Sequence, residues 1–122
     1  MKKSLLVLDD NIIILDILNK TLTDRYDIVL TQSLNQAMNI CSVVQFDFVV
    51  TDINLGFDGE FGGLDFVEFL SNLNFRGKII LISGYMQEVP KHLKSKVHFM
   101  LNKPFAIDNL IYILEDDVDE LD

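Results

Sequence analysis

The chain holds a single cysteine, Cys41, among its 122 residues. One thiol closes no internal disulfide, and no Cys/His spacing of the zinc-binding kind is present. A reducing, intracellular setting fits that usage. Positive charge is scarce: 10 Lys and Arg stand against 19 Asp and Glu, a formal net charge of −9. That disfavours direct nucleic-acid binding, which needs Lys and Arg against phosphates. Long apolar runs are also missing, and none approaches the ~20 residues of a membrane span. The start, Met1-Lys2-Lys3-Ser4-Leu5, has the positive opening of a secretory leader. Its apolar run ends at Leu8 against Asp9-Asp10, too soon for the hydrophobic segment of one. The expectation is a cytoplasmic protein with no membrane partner. With no repeat, low-complexity tract or linker, residues 1–122 read as one domain.

What is present is apolar, 49 % of the chain, which argues against disorder. Short apolar runs alternate with longer amphipathic ones. Leu5 to Leu8, Phe46 to Val50, Ile79 to Ile82 and Val97 to Leu101 read as buried strands, with Ile28 to Leu30 a weaker fifth. Between them, Ile14, Leu15, Leu18 and Leu22 share one helical face. Ser33 is a helix N-cap before Leu34, Ala37, Met38 and Cys41. Gly63 precedes a helix over Leu64 to Leu73, and Pro104 precedes one with Ile107, Leu110, Ile111, Leu114 and Val118 on a stripe. Pro90 interrupts the segment from Met86 to Lys96, so a short or irregular helix is expected there. A β-α unit repeated five times implies an α/β fold: a doubly wound five-stranded parallel sheet, flavodoxin-like, in a three-layer sandwich. The acidic end 115–122 reads as a solvated helix end.

Polar residues follow the strands. Asp9 and Asp10 follow the first, Asp52 the third, Ser83-Gly84 the fourth and Lys103-Pro104 the fifth. In open α/β sheets the ligand crevice lies at these carboxyl ends, where the strand order reverses. With the order 2-1-3-4-5, Asp9, Asp10 and Asp52 crowd together. Three carboxylates so placed repel one another unless a cation intervenes. Hard oxygen ligands point to Mg2+ rather than zinc, and a backbone carbonyl just past Asp52 adds one more oxygen. Lys103 offers a mobile positive charge, Ser83 a hydroxyl and Gly84 an unscreened amide. A carboxylate nucleophile, a metal, a cation and donors are the parts phosphoryl transfer uses. Taken singly, each residue has a plainer role: helix cap, turn residue, surface lysine.

These residues resemble the bacterial response-regulator receiver domains along essentially the whole chain. The matching pieces are Leu-Val-Leu-Asp-Asp at 6–10, Phe-Val-Val-Thr-Asp-Ile-Asn-Leu at 48–55, Gly-Leu-Asp-Phe at 63–66, Ile-Leu-Ile-Ser-Gly at 80–84 and Lys-Pro-Phe at 103–105. The resemblance implies a receiver of a two-component phosphorelay, with Asp52 as phosphoacceptor. It implies Asp10 and Asp52 as metal ligands, Asp9 supporting them partly through water, and the Asn54 carbonyl as a third ligand. Ser83, Gly84 and Lys103 would contact the phosphoryl group, and Pro104 would follow a cis peptide bond. The donor would be a phosphohistidine of a sensor kinase or phosphotransfer protein. The chain would be no enzyme beyond its own phosphorylation and dephosphorylation. A downstream protein or an output domain outside this sequence would receive the signal, with a phosphorylation-dependent dimer as one form of response. Two other classes compete: a non-enzymatic interaction module, and an aspartyl-phosphate phosphatase similar to the haloacid dehalogenases. The latter carry Asp-x-Asp after the first strand and a cap domain, whereas here the acids are adjacent.

The chain departs from the family at three places. Gly56 stands where a proline is common, and the segment from Asp52 to Gly63 is about three residues longer than usual. The loop 56–62 is therefore expected to be expanded and mobile. Met100 stands where the family carries Tyr or Phe, with Phe99 on the opposite strand face. Pro90 disturbs the fourth helix.

Overall fold

The computed structural model describes residues 2–84 and 89–120. In chain order the elements are β1 (Lys3–Leu8), α1 (Ile12–Leu22), β2 (Tyr26–Thr31), α2 (Leu34–Cys41), β3 (Phe48–Asp52), α3 (Gly62–Asn72), β4 (Lys78–Ser83), α4 (Lys91–Lys94), β5 (Phe99–Asn102) and α5 (Ile107–Glu120). A 3-10 turn, Gly56–Asp58, lies between β3 and α3. The strands form one sheet in the order β2-β1-β3-β4-β5, and every pairing is parallel. This is the expected doubly wound α/β fold.

Alternation along the central strands decides the two cores. Leu6, Leu8, Val49 and Leu81 point to one face and pack with Ala37 and Cys41 of α2, Phe66, Val67 and Leu70 of α3, and Leu93 of α4. Leu5, Val7, Phe48, Val50, Ile80 and Ile82 point to the other, against Leu15, Leu18 and Leu22 of α1 and Leu110 and Leu114 of α5. Burial of both faces makes these strands continuous apolar runs. The edge strands differ. In β5, residues alternate between half-buried Phe99 and Leu101, packed on the α1–α5 core, and exposed Met100 and Asn102. In β2, Ile28 and Leu30 pack partly buried on that core and Val29 on the other.

Local chemistry sets the helix starts. The Asn11 carboxamide accepts from the amides of Ile13 and Ile14, and Ser33 Oγ accepts from Gln36 N, satisfying donors that a first helical turn leaves orphaned. α4 begins directly after Pro90 and is a single turn, Lys91–Lys94. The part of the expected fourth-helix segment at 86–88 lies outside the described residues, as do residues 121 and 122. For the expected acidic end, side chains are described only at Glu115. Among the described residues no helix is long and apolar enough to cross a membrane.

Candidate functional site

The carboxyl ends of β1, β3, β4 and β5 meet at one crevice. Asp52 is the last residue of β3, opposite Ile82 in β4, so the strand itself aims the carboxylate. It is nearly inaccessible. Its Oδ1 accepts from the Asn54 amide at 3.0 Å, and its Oδ2 pairs with Lys103 Nζ. Asp9, equally buried, continues β1 and accepts from the Asn11 amide at 2.8 Å. Asp10 is exposed beside it. One carboxylate oxygen each from Asp9, Asp10 and Asp52 lies within 4.8 Å of the others.

Charge is unbalanced here. Burial pushes the Asp9 carboxyl up to about 6, the Asn11 amide pulls it back in part, and Asp52 raises it again. Asp9 Oδ2 is buried with no hydrogen-bond partner among the described residues. A buried, partnerless carboxylate oxygen beside two other acids is a donor set that fits a hard divalent cation. On Lys103, burial acts to lower the ammonium, but the hydrogen bond and charge of Asp52, with Asp9 and Asp10 behind, raise it overall. The lysine therefore stays cationic.

The remaining expected residues fall in the same place. Ser83 ends β4, is buried, and its carbonyl accepts from the Lys103 amide at 2.8 Å. Gly84 follows on the exposed rim, where an added Cβ would sit 3.9 Å from Lys103 Cδ. The Lys103–Pro104 peptide bond is cis. Asn54 is exposed just past Asp52, and its side-chain oxygen accepts from the Gly56 amide.

Three contributors were not legible in the sequence. Gly56 has φ +61°, and a Cβ there would lie 2.6 Å from Asp10 Oδ2. Its missing side chain makes room for the Asp10 carboxylate. Gly63 has ordinary dihedrals but passes so close to β3 that a Cβ would lie 2.0 Å from the Asp52 carbonyl oxygen. Only glycine lets α3 start this close to the end of β3. Gln32, after β2, donates from Nε2 to the Asp10 carbonyl at 3.0 Å. A glycine at each loop position was a visible signal; which neighbour needed the space was not.

The expanded loop 56–62 folds into hydrogen-bonded turns. Leu55 and Gly59 close it with an amide-to-carbonyl bond of 3.0 Å, and Gly62 N bonds Gly59 O at 3.0 Å. Asp58 Oδ2 accepts from Leu34 N at 2.8 Å, so the loop reaches over to the start of α2 and caps it. Extra length here builds a compact turn because Gly56 and Gly59 supply positive φ.

The response regulator receiver domain family matches residues 5–115 of the chain. A search of the curated proteins found no match. Among solved structures, the chain is similar to a CheY-like receiver domain from Methylobacillus flagellatus, at 24 % identity and TM-score 0.80, covering 95 % of this chain and 98 % of that one. A CheY-like receiver domain protein from Methanospirillum hungatei JF-1 overlays with TM-score 0.86 at 22 % identity, covering 98 % and 96 %. A response regulator from Burkholderia pseudomallei, solved with a phosphorylated aspartic acid, a calcium ion and citrate, matches at 24 % identity and TM-score 0.78, over 98 % of this chain and 71 % of that one. At these identities the structures speak for the fold alone, and the match over 5–115 places the chain in the response regulator receiver domain family.

Proposed function

We propose that the chain is a phosphorylation-dependent receiver of a cytoplasmic two-component phosphorelay, taking a phosphoryl group on Asp52 from a phosphohistidine of a sensor kinase or phosphotransfer protein. The observation that carries this is the meeting of three carboxylates within 4.8 Å beside a lysine paired with the central one. Asp9, Asp10, Asp52 and the Asn54 carbonyl would hold Mg2+, which when bound neutralises charge on the carboxylates and phosphoryl oxygens.

In the transfer, the P–N bond to the donor imidazole breaks as a P–O bond to an Asp52 carboxylate oxygen forms, and the imidazole keeps the bond's electron pair. The Asn54 amide on Oδ1 and Lys103 on Oδ2 fix the acceptor's orientation before the donor arrives, and such positioning is most of what this chemistry needs. Lys103 then follows the negative charge to the phosphoryl oxygens, with the Ser83 hydroxyl and the Gly84 amide at the next strand end. A downstream protein, or an output domain outside this sequence, reads the change. A phosphorylation-dependent dimer is one form that reading takes, and DNA is not contacted by this domain itself.

Incubation with acetyl phosphate and Mg2+ is expected to raise the intact mass by one phosphoryl group. Asp52→Asn abolishes the rise, and Asp10→Ala abolishes the metal dependence. A modification mapped to Ser83 would overturn the assignment.

A further inference from the structure

The proposed site uses one lysine, Lys103. The other end of the sheet concentrates many of the remaining cations. A cleft of about 430 Å³ opens at the starts of β1, β3 and β4, with Lys3, Arg76 and Lys78 among its lining residues and Phe46 and Phe48 on its floor. It shares Arg76 and Gly77 with a second cleft, which runs on to Phe75, Lys96 and His98 ahead of β5. On its other side it shares Ser4 and Phe46 with a third, lined by Lys2 and Val29 towards β2. Through these shared residues the three clefts adjoin, a groove in three parts along the amino-terminal ends of the strands.

Charge is segregated there against the composition of the chain. Lys2, Lys3, Arg76, Lys78 and Lys96 line the groove, half of the 10 Lys and Arg in a chain of net charge −9. The acids among the lining residues are Asp27 and Asp47. The Asp47 carboxylate is turned to β1, accepting from Ser4 N at 2.8 Å and Ser4 Oγ at 3.2 Å. Among the described residues no ion pair engages Lys3, Arg76 or Lys96. Lys3, Arg76 and Lys96, without an ion pair among the described residues of an acidic protein, attract anionic partners.

The shape selects the kind of anion. The cations are spread along the sheet, Lys3 at the start of β1, Arg76 and Lys78 at that of β4 and Lys96 ahead of β5, with Asp47 before β3 turned to Ser4, so a single phosphate meets too few of them. From β1 to β5 in the order β2-β1-β3-β4-β5 there are three gaps of ~4.8 Å, about 14 Å, which is the length of about four extended residues. An apolar floor between charged rims suits side chains that alternate.

We propose that this groove docks an extended acidic segment of a partner protein, one in which carboxylates alternate with apolar residues. It lies at the end of the sheet opposite Asp52, so docking and phosphorylation leave each other's surface free.

The test is fluorescence anisotropy with a labelled eight-residue peptide alternating glutamate and leucine. Saturable binding that weakens with salt is expected. Lys3→Glu with Arg76→Glu weakens it by about tenfold or more, while Asp52→Asn leaves it unchanged. A peptide with glutamine in place of glutamate binds far less. Should Lys3→Glu disturb the fold, Arg76→Glu with Lys96→Glu makes the same test from other residues. Absence of saturable binding, equal binding of the glutamine peptide, or displacement by inorganic phosphate at peptide concentrations overturns the proposal. So does a salt-sensitive dimer of the chain alone that the charge reversals abolish, which would assign the groove to the acidic end 115–122 of a second copy.

Discussion

Asp9 shows how far one residue's surroundings can work against its own charge. Its folded value near 6 lies above the ordinary 3.8, chiefly through burial. Between those two values the folded chain holds a proton that the unfolded chain has lost, so stability falls as pH rises through that window, and above it the full penalty is present. With metal chelated, the chain is expected to be more stable at pH 5 than at pH 7.5, by on the order of 1 kcal/mol. Asp9→Asn should flatten that dependence in urea titrations at the two pH values. An unchanged pH dependence in the variant would place the titration elsewhere. Gly56 makes a second prediction at this scale. At φ +61° with Asp10 Oδ2 in the way, Gly56→Ala meets both left-handed strain, about 1–2 kcal/mol, and a displaced carboxylate. Its Mg2+ affinity by calorimetry should fall about tenfold; an affinity equal to the parent's would separate this glycine from the metal side of the site.

Signal transmission belongs to the scale of elements. On β5, Met100 is 45 % exposed, while Phe99 and Leu101 turn inward to the α1–α5 core. Methionine is flexible and settles into no single alternative rotamer, so it makes a poor two-position element. A ligand shifts an equilibrium only by its differential interaction with two states. The turn after β3 is better connected: Asn54 touches Asp52 by its amide and Gly56 by its side chain, and Asp58 holds the first amide of α2. Beryllofluoride, a phosphoryl mimic, is therefore expected to move the backbone amide signals of 54–59 and Leu34 more than those of 99–101. Large shifts at Met100 with a silent turn would show that the edge strand carries the response.

At the scale of the whole molecule, stability and chemistry are separable. Both faces of the sheet are covered by contiguous apolar clusters, and Asp9, Asp10 and Asp52 gather beyond them at the carboxyl ends of the strands. Chelation should leave one cooperative unfolding transition. Phe66→Ala, at a fully buried position, should lower stability by about 3–5 kcal/mol, read from the denaturant midpoint, without removing acetyl phosphate reactivity in conditions where it stays folded. Loss of the fold on chelation would instead make the cation a structural element.

The order of strands and helices, the two-sided burial of β1, β3 and β4, and the polar residues at four strand ends were determined by local sequence. Each depends on periodicity, capping and turn chemistry within a few residues, and that is what a sequence displays. The edge strands were less legible: β5 packs Phe99 and Leu101 on the α1–α5 core and leaves Met100 and Asn102 exposed, which its continuous apolar run does not display. Tertiary structure alone decided the rest. Gly56 beside Asp10, Asp58 on the amide of Leu34, Gly63 against the carbonyl of Asp52 and the row of cations from Lys2 to Lys96 join residues that share no local pattern. Strand pairing and crossover geometry bring them together, and a linear chain carries no local signal of which surfaces will meet.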